Sequence, residues 1–193
     1  ELRGKTVGIV GLGAIGRRVA RLLQGFGVRL LGYDPYVAPE SLAGVEVALV
    51  RSLDDLLRES DVVTIHARLT PETYHMIGER ELRLMKPTAY LVNTARGAIV
   101  DEKALVRALR EGWIAGAALD VFEVEPPPRD HPLLQLENVV VTPHFASCTY
   151  EAYEREAVTV HAEVVRVLRG CRPTYLANPE VLARRPDLGE CPE

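Results

Sequence analysis

Apolar positions along the chain follow two alternating periods. Val7 to Val10 is a short run rich in β-branched residues, ended by Gly11-Leu12-Gly13, and beyond it Ile15, Val19, Leu22 and Leu23 recur at spacings of three and four. The first pattern predicts a buried strand, and the second predicts an amphipathic helix that Gly27 stops. Val28 to Tyr33 predicts a second strand with Asp34 at its carboxyl end, and the region of Pro35 and Pro39 predicts a loop. Ser52 is placed to cap a short helix through Asp54, Leu56 and Leu57. Val62 to Ile65 then predicts a third strand ending at His66.

The second half repeats the alternation. Ala89 to Val92 predicts a strand, and Asp101 is placed to cap a helix from Glu102 to Arg110 that Gly112 closes. Ala115 to Leu119 is apolar along its length, as a strand covered on both faces should be. A proline-rich acidic loop, Glu123 to Pro132, leads to a strand at Val139 to Val141, and the longest helical pattern runs from Ala152 to Leu168, ended by Gly170. Short apolar strands alternating with helices predict the α/β class. The expected architecture is a Rossmann-type doubly wound parallel sheet in three α/β/α layers. Residues 1–170 read as a dinucleotide-binding domain. Residues 171–193, with Pro173, Pro179 and Pro186, read as a C-terminal tail that packs on a surface or on a further domain.

Composition narrows the function classes. The 193 residues are 47% hydrophobic and 26% charged with a net charge of -4, an ordinary balance for a chain that buries its own core. A mildly acidic surface argues against nucleic acid as the main partner, although it leaves room for a small anion gripped by one arginine. Cys148, Cys171 and Cys191 are too few and too irregularly spaced to predict a disulfide framework or a metal site, which fits a reducing, cytoplasmic setting. No apolar run is long enough to span a bilayer, and no secretory signal opens the chain. The chain begins at Glu1 and enters its first strand almost at once, as an excised domain does.

The strongest chemical signal is Gly11-x-Gly13-x-x-Gly16. It follows a predicted strand, starts a helix and is followed by a second strand ending in an acid, which is the context that makes a glycine motif specific. Gly11 permits the tight turn, Gly13 removes a side chain that would block a pyrophosphate, and Gly16 lets the helix approach the strand. Amides near Ala14 and Ile15 suit two phosphates. Asp34 is placed to accept from both hydroxyls of an adenosine ribose and would repel a 2′-phosphate, so NAD is favoured over NADP.

Arg96, Asp120 and His144 each lie just past a different predicted strand, where parallel sheets place their ligands, and Glu125 lies in the loop beyond Asp120. Their chemistry fits reduction of a carbonyl beside a carboxylate. A histidine donates the proton, a carboxylate orients it and stabilises its cationic form, and an arginine grips a substrate carboxylate. Asp120 could accept from a nicotinamide amide. Spacing alone leaves other roles open: Arg96 as a turn residue before Gly97, His144 as a structural histidine after Pro143, and Glu125 as a solvated loop acid. No metal ligand set is expected.

These residues sit in longer motifs that resemble the NAD-binding domain of the D-isomer-specific 2-hydroxyacid dehydrogenases. That family includes phosphoglycerate, glycerate, lactate and formate dehydrogenases and glyoxylate/hydroxypyruvate reductases. The resemblance runs from Leu2 to about Gly170. It rests on LRGKTVGIVGLGAIG at 2–16, YDPY at 33–36, LTPET at 69–73, NTARGAIVDEKAL at 93–105, GAALDVFEVEP at 116–126 and TPHFASCT at 142–149. It implies Arg96, Glu125 and His144 as the catalytic residues and Asp120 as the partner of the nicotinamide amide. It implies cofactor contacts at Ala14, Ile15, Asp34, Ala67, Thr94, Ala95 and Arg96, and from His144 through Ala146 to Ser147, with His66 as a wall of the same site. Two positions depart from the family: Arg68 stands where proline is common, and Ala14 where arginine is frequent.

The resemblance also implies a small 2-oxo or 2-hydroxy acid as substrate, a homodimer formed through this domain, and no membrane partner. Family members carry a further segment ahead of this point, most of a second domain that helps bind the substrate carboxylate. The expectation is therefore a fragment that binds NAD and turns over little alone. A second resemblance, to the C-terminal binding proteins, implies an NAD(H)-sensing transcriptional corepressor and is carried by YDPY and DEKAL. Those proteins have a tryptophan two residues beyond the position of Phe145, where this chain has Ser147, and the enzyme is the preferred reading.

Overall fold

A computed structural model describes residues 1–190, in two compact units divided in sequence between Ala146 and Ser147. Cys191 and the rest of the predicted tail beyond it lie outside the described residues. The first unit holds a seven-stranded sheet in the order β3-β2-β1-β4-β5-β6-β7, with every pairing parallel. Its strands are β1 (Thr6–Val10), β2 (Arg29–Tyr33), β3 (Ala48–Leu49), β4 (Val62–Ile65), β5 (Tyr90–Asn93), β6 (Gly116–Leu119) and β7 (Val139–Val141). Four helices complete it: α1 (Ala14–Leu23), α2 (Leu53–Glu59), α3 (Glu79–Leu84) and α4 (Glu102–Arg110). This is the predicted Rossmann-type α/β/α arrangement.

Strand alternation sends successive side chains to opposite faces, and two apolar clusters result. Val7 and Ile9 of β1 join Ala20 of α1 and Leu30 in one. Val10 joins Leu56 and Leu57 of α2, Leu91, and Leu105 of α4 in the other. Gly8 makes the second possible, because a methyl group there would sit 2.3 Å from Ser60 Oγ and 2.5 Å from Leu56 Cδ2. Ser52 caps α2 as predicted, accepting the Asp55 amide at 3.1 Å, and Asp101 caps α4 by accepting those of Lys103 and Ala104.

The strands end in register. Tyr33, Val10, Ile65, Asn93, Leu119 and Val141 form one line across the sheet. The next residues, among them Gly11, Asp34, His66, Asp120 and Thr142, therefore leave a single carboxyl edge. The strand order reverses between β1 and β4, and such a reversal opens a crevice outside that edge.

The second unit contains α5 (Tyr150–Leu168), two residues longer at its start than predicted because Thr149 caps it by accepting the Ala152 amide at 3.0 Å. Gly170 ends it with φ of 77°, and Cys171 pairs with Gly189 in a short parallel bridge. Cys148 is free, whereas Cys171 is disulfide-bonded. Among the described residues no helix is long and apolar enough to cross a membrane.

Candidate active site

The glycine loop is built as its motif requires. Gly11 has φ of 91°, in the left-handed region, and a methyl group on it would lie 2.7 Å from the Ala67 amide nitrogen. A methyl group on Gly16 would lie 2.0 Å from Gly11 O, so only glycine lets α1 start this close to β1. Gly13 differs: a methyl group there would meet nothing within 4 Å. The protein leaves the space over Gly13 open, at the tip of a helix whose first amides have no acceptors within the helix. Ala14 and Ile15 are exposed at the same tip. That is the shape an anionic diphosphate needs.

Asp34 closes the other end of the loop. Its Oδ2 accepts the Leu12 amide at 2.8 Å and its Oδ1 accepts the Tyr36 amide at 2.9 Å. A carboxylate has lone pairs for more than one donor per oxygen, so both oxygens retain capacity for a diol. A cavity of about 670 Å³ opens beside it, lined by Gly11, Gly13, Asp34, His66, Ala67 and Arg68 among others. His66 is held 3.0 Å from Thr64 Oγ1, and burial pushes its imidazole below the usual histidine value, so it stands there as a neutral wall. Tyr36 donates to Glu72 Oε2 at 2.5 Å across the lip of the cavity, a pair the sequence reading missed although both residues lie in its quoted motifs.

The turn after β5 is pinned by Asn93, which is buried. Its Oδ1 accepts the Ala95 amide at 3.0 Å and its Nδ2 donates to Arg96 O at 2.9 Å, which fixes Thr94 to Arg96 at the crevice. The Arg96 guanidinium is exposed, with Nη1 donating to Ala95 O at 2.6 Å. Asn93 was also missed; its signal is an amide at the carboxyl end of an otherwise apolar run.

Asp120, 4% exposed, organises the loop after β7. Its Oδ1 accepts Thr142 Oγ1 at 2.5 Å and the Phe145 amide at 2.7 Å, and its Oδ2 accepts the Ala146 amide at 2.9 Å. Burial pushes this carboxyl up, but the three hydrogen bonds outweigh it and hold the group below the usual carboxylate range. The backbone joins in, since the His144 amide donates to Asp120 O at 2.8 Å. Oδ2 has a lone pair to spare for an amide donor.

His144 adopts φ of 59°, a left-handed conformation unusual for a side chain of this size, and this turns its ring toward Glu125. Nδ1 lies 2.9 Å from Glu125 Oε2, while Glu125 Oε1 accepts the Phe122 amide at 3.0 Å. The His144 bond chiefly holds the Glu125 carboxyl below its usual value, the Phe122 amide adds to this against burial, and the charges of His144 and Arg96 assist. With a carboxylate at Nδ1, that nitrogen carries a proton and Nε2 is left to exchange one with a ligand. A cavity of about 520 Å³ lies here, lined by Asp120, Phe122, Glu125, Leu134, Thr142 and His144 among others.

The predicted residues Arg96, Asp120, Glu125 and His144 thus leave one sheet edge, and Glu125 and His144 are in direct contact. Ser147, the last predicted cofactor contact, opens the second unit, where its carbonyl accepts the Thr149 amide at 3.2 Å. Among the described residues, His75, Asp101 and Glu123 bring ligand-type atoms within 4.8 Å of one another. Asp101 and Glu123 each use an oxygen on amides at the start of α4, so this group is turned toward the helix.

Comparison with known proteins bears on this geometry. A family model for the D-isomer specific 2-hydroxyacid dehydrogenase, NAD binding domain, matches residues 1–146. A glyoxylate reductase from Thermofilum pendens is 53% identical over 190 residues, covering 96% of this chain and 55% of that protein. A D-3-phosphoglycerate dehydrogenase from Methanocaldococcus jannaschii is 48% identical over 170 residues, 88% of this chain and 32% of that one. Among solved structures, the NAD complexed form of a D-isomer specific 2-hydroxyacid dehydrogenase from Lactobacillus delbrueckii ssp. bulgaricus superposes with a TM-score of 0.82 at 35% identity. It covers 90% of this chain and 56% of that one. The chain spans about half the length of the glyoxylate reductase it matches.

Proposed function

Because the chain belongs to the D-isomer specific 2-hydroxyacid dehydrogenases through their NAD binding domain, we propose that its protein interconverts a 2-oxo acid and a D-2-hydroxy acid. The observation that carries this reading is the 2.9 Å contact between His144 Nδ1 and Glu125 Oε2 at the same sheet edge as the glycine loop. The fit of a dinucleotide rests on the open space at Gly13 and on the carboxylate of Asp34 beside it. NAD, when bound, supplies or takes up the hydride. The α1 amides near Ala14 and Ile15 hold its diphosphate, and Asp34 takes the two adenosine hydroxyls and excludes a 2′-phosphate. His66, Ala67, and Thr94 with Ala95 wall the site.

The residues of the chain divide the rest of the work. His144 gives its Nε2 proton to the oxygen of the 2-oxo group during reduction and recovers one during oxidation. Glu125, bonded to Nδ1, orients the ring and leaves Nε2 for the exchange. Arg96 offers paired donors to the substrate carboxylate and polarises the neighbouring carbonyl. Asp120 shapes the His144 loop and accepts from the nicotinamide amide. The names of the similar proteins support glyoxylate or a phosphoglycerate-type acid as the substrate class. The same reading takes the protein as a cytoplasmic homodimer paired through this domain.

The test is an assay of the full-length protein against a panel of 2-oxo acids with NADH and with NADPH. Consumption of NADH that depends on a 2-oxo acid and yields the D-alcohol is expected. No turnover with any 2-oxo acid, or formation of the L-alcohol, would contradict the reading.

A further inference from the structure

Glu125 needs a reason to stay on His144, because both side chains are partly exposed and neither lies on a helix or strand. The reason begins two residues earlier. The Glu123 amide donates to Glu102 Oε1 at 2.7 Å, and the Glu102 amide donates to Glu123 Oε1 at 3.0 Å. Each acid binds the backbone of the other, which is the reciprocity of a capping box made between segments far apart in sequence. Glu102 is the first residue of α4, so the exchange satisfies an orphan helix amide and fixes the loop to a rigid element together.

The second oxygen of Glu102 is also committed. Glu102 Oε2 faces His131 Nε2 at 3.1 Å, in a pair that is mostly buried. His131 Nδ1 accepts the Leu133 amide at 3.3 Å, so the ring proton lies on Nε2 and points at Glu102. Glu123 Oε1 also meets His75 Nε2 at 3.0 Å, and the His75 amide donates to Ala98 O at 2.8 Å, just past Arg96. Phe122 is pressed against Gly97, where a methyl group would lie 1.9 Å from the Phe122 carbonyl carbon.

Consecutive amides therefore have different holders: the Phe122 amide is bound by Glu125, and the Glu123 amide by Glu102. With the Phe122 backbone also packed against Gly97, fixing the second restricts the orientation of the first, and the first aims the Glu125 carboxylate. Resting on the reading of His144 and Glu125 given above, we propose that Glu102 is a positioning residue that holds Glu125 onto His144 through the amide of Glu123.

The experiment is a carboxyl-carbon NMR titration of Glu125 in the protein, alongside thermal unfolding, for wild type and four variants. Wild type should titrate below the usual glutamate range, and His144→Ala should move Glu125 up and provide the reference. A wild-type Glu125 that titrates normally would overturn the His144–Glu125 reading itself. With that reading intact, Glu102→Ala should move Glu125 up toward the reference. Glu102→Gln, which keeps an oxygen for the Glu123 amide, should fold and move it less. Asp101→Ala removes another cap of α4 and lowers the melting temperature, yet should leave the Glu125 titration where it was. An unchanged Glu125 in Glu102→Ala, or an equal rise in Asp101→Ala, would overturn the clamp.

Discussion

Asp34 Oδ2 accepts the Leu12 amide at 2.8 Å, so the acid at the end of β2 also holds the glycine loop that follows β1. One carboxylate thus shapes the loop and presents charge to the cavity beside it. Asp34→Ala is expected to weaken NADH binding at least about tenfold, or ~1.4 kcal/mol. It should weaken NADPH binding less, because the repelling charge goes with the contact. Binding isotherms for both dinucleotides check this, and an unchanged ratio of the two dissociation constants would contradict it.

Gly13 and Gly16 should respond to alanine in opposite ways. At Gly16 the new methyl group meets the Gly11 backbone oxygen, which cannot swing aside, and a stability loss of about 1–3 kcal/mol is expected in urea unfolding. At Gly13 the methyl group enters open space from an ordinary φ of -67°, so the fold should tolerate it. The same methyl group stands where a diphosphate would lie, and NADH affinity should fall at least about tenfold. Gly13→Ala binding NADH as wild type does would show that the cofactor lies elsewhere.

Much of this architecture was legible because it is local. Val7 to Val10 and Val62 to Ile65 announce buried strands, and the glycine motif announces the turn between strand and helix. The misses have physical causes. β3 is two exposed residues, Ala48 and Leu49, too short to show a period. α3 is six residues with a single buried position, Leu82, and its start is fixed by Glu81 accepting the Gly78 amide at 3.1 Å. Arg96, Asp120 and His144 could be placed at strand ends from sequence, and Glu125 in the loop beyond Asp120. The pairing of Glu125 with His144 was expected, but its 2.9 Å geometry was not legible, because it depends on where the turn from Phe122 to Glu125 falls in space. Asn93 and Thr142 escaped for a related reason: each acts on a turn by hydrogen bonds that no spacing reveals.

Thr142 supports a buried charge, and its loss should depend on pH. Thr142→Val removes the hydroxyl donor to Asp120 and is expected to cost about 1–2 kcal/mol at neutral pH. The carboxyl of Asp120 is held below its unfolded value. Its contribution is therefore complete above about pH 4 and is lost as pH falls through the lower folded value. The gap between variant and wild type should narrow over that descent, as acid protonates Asp120 in both. Urea unfolding at neutral and acid pH checks it, and a gap independent of pH would contradict the assignment.

In the proposed function His144, braced by Glu125, moves the proton for a hydride transfer made in the adjoining crevice. The decisive measurement is the steady-state kinetics of His144→Ala in the full-length protein beside its NADH dissociation constant. A kcat lower by about 10²–10⁴-fold is expected, with NADH affinity reduced far less. Wild-type kcat in His144→Ala, or NADH binding lost in step with kcat, would contradict it.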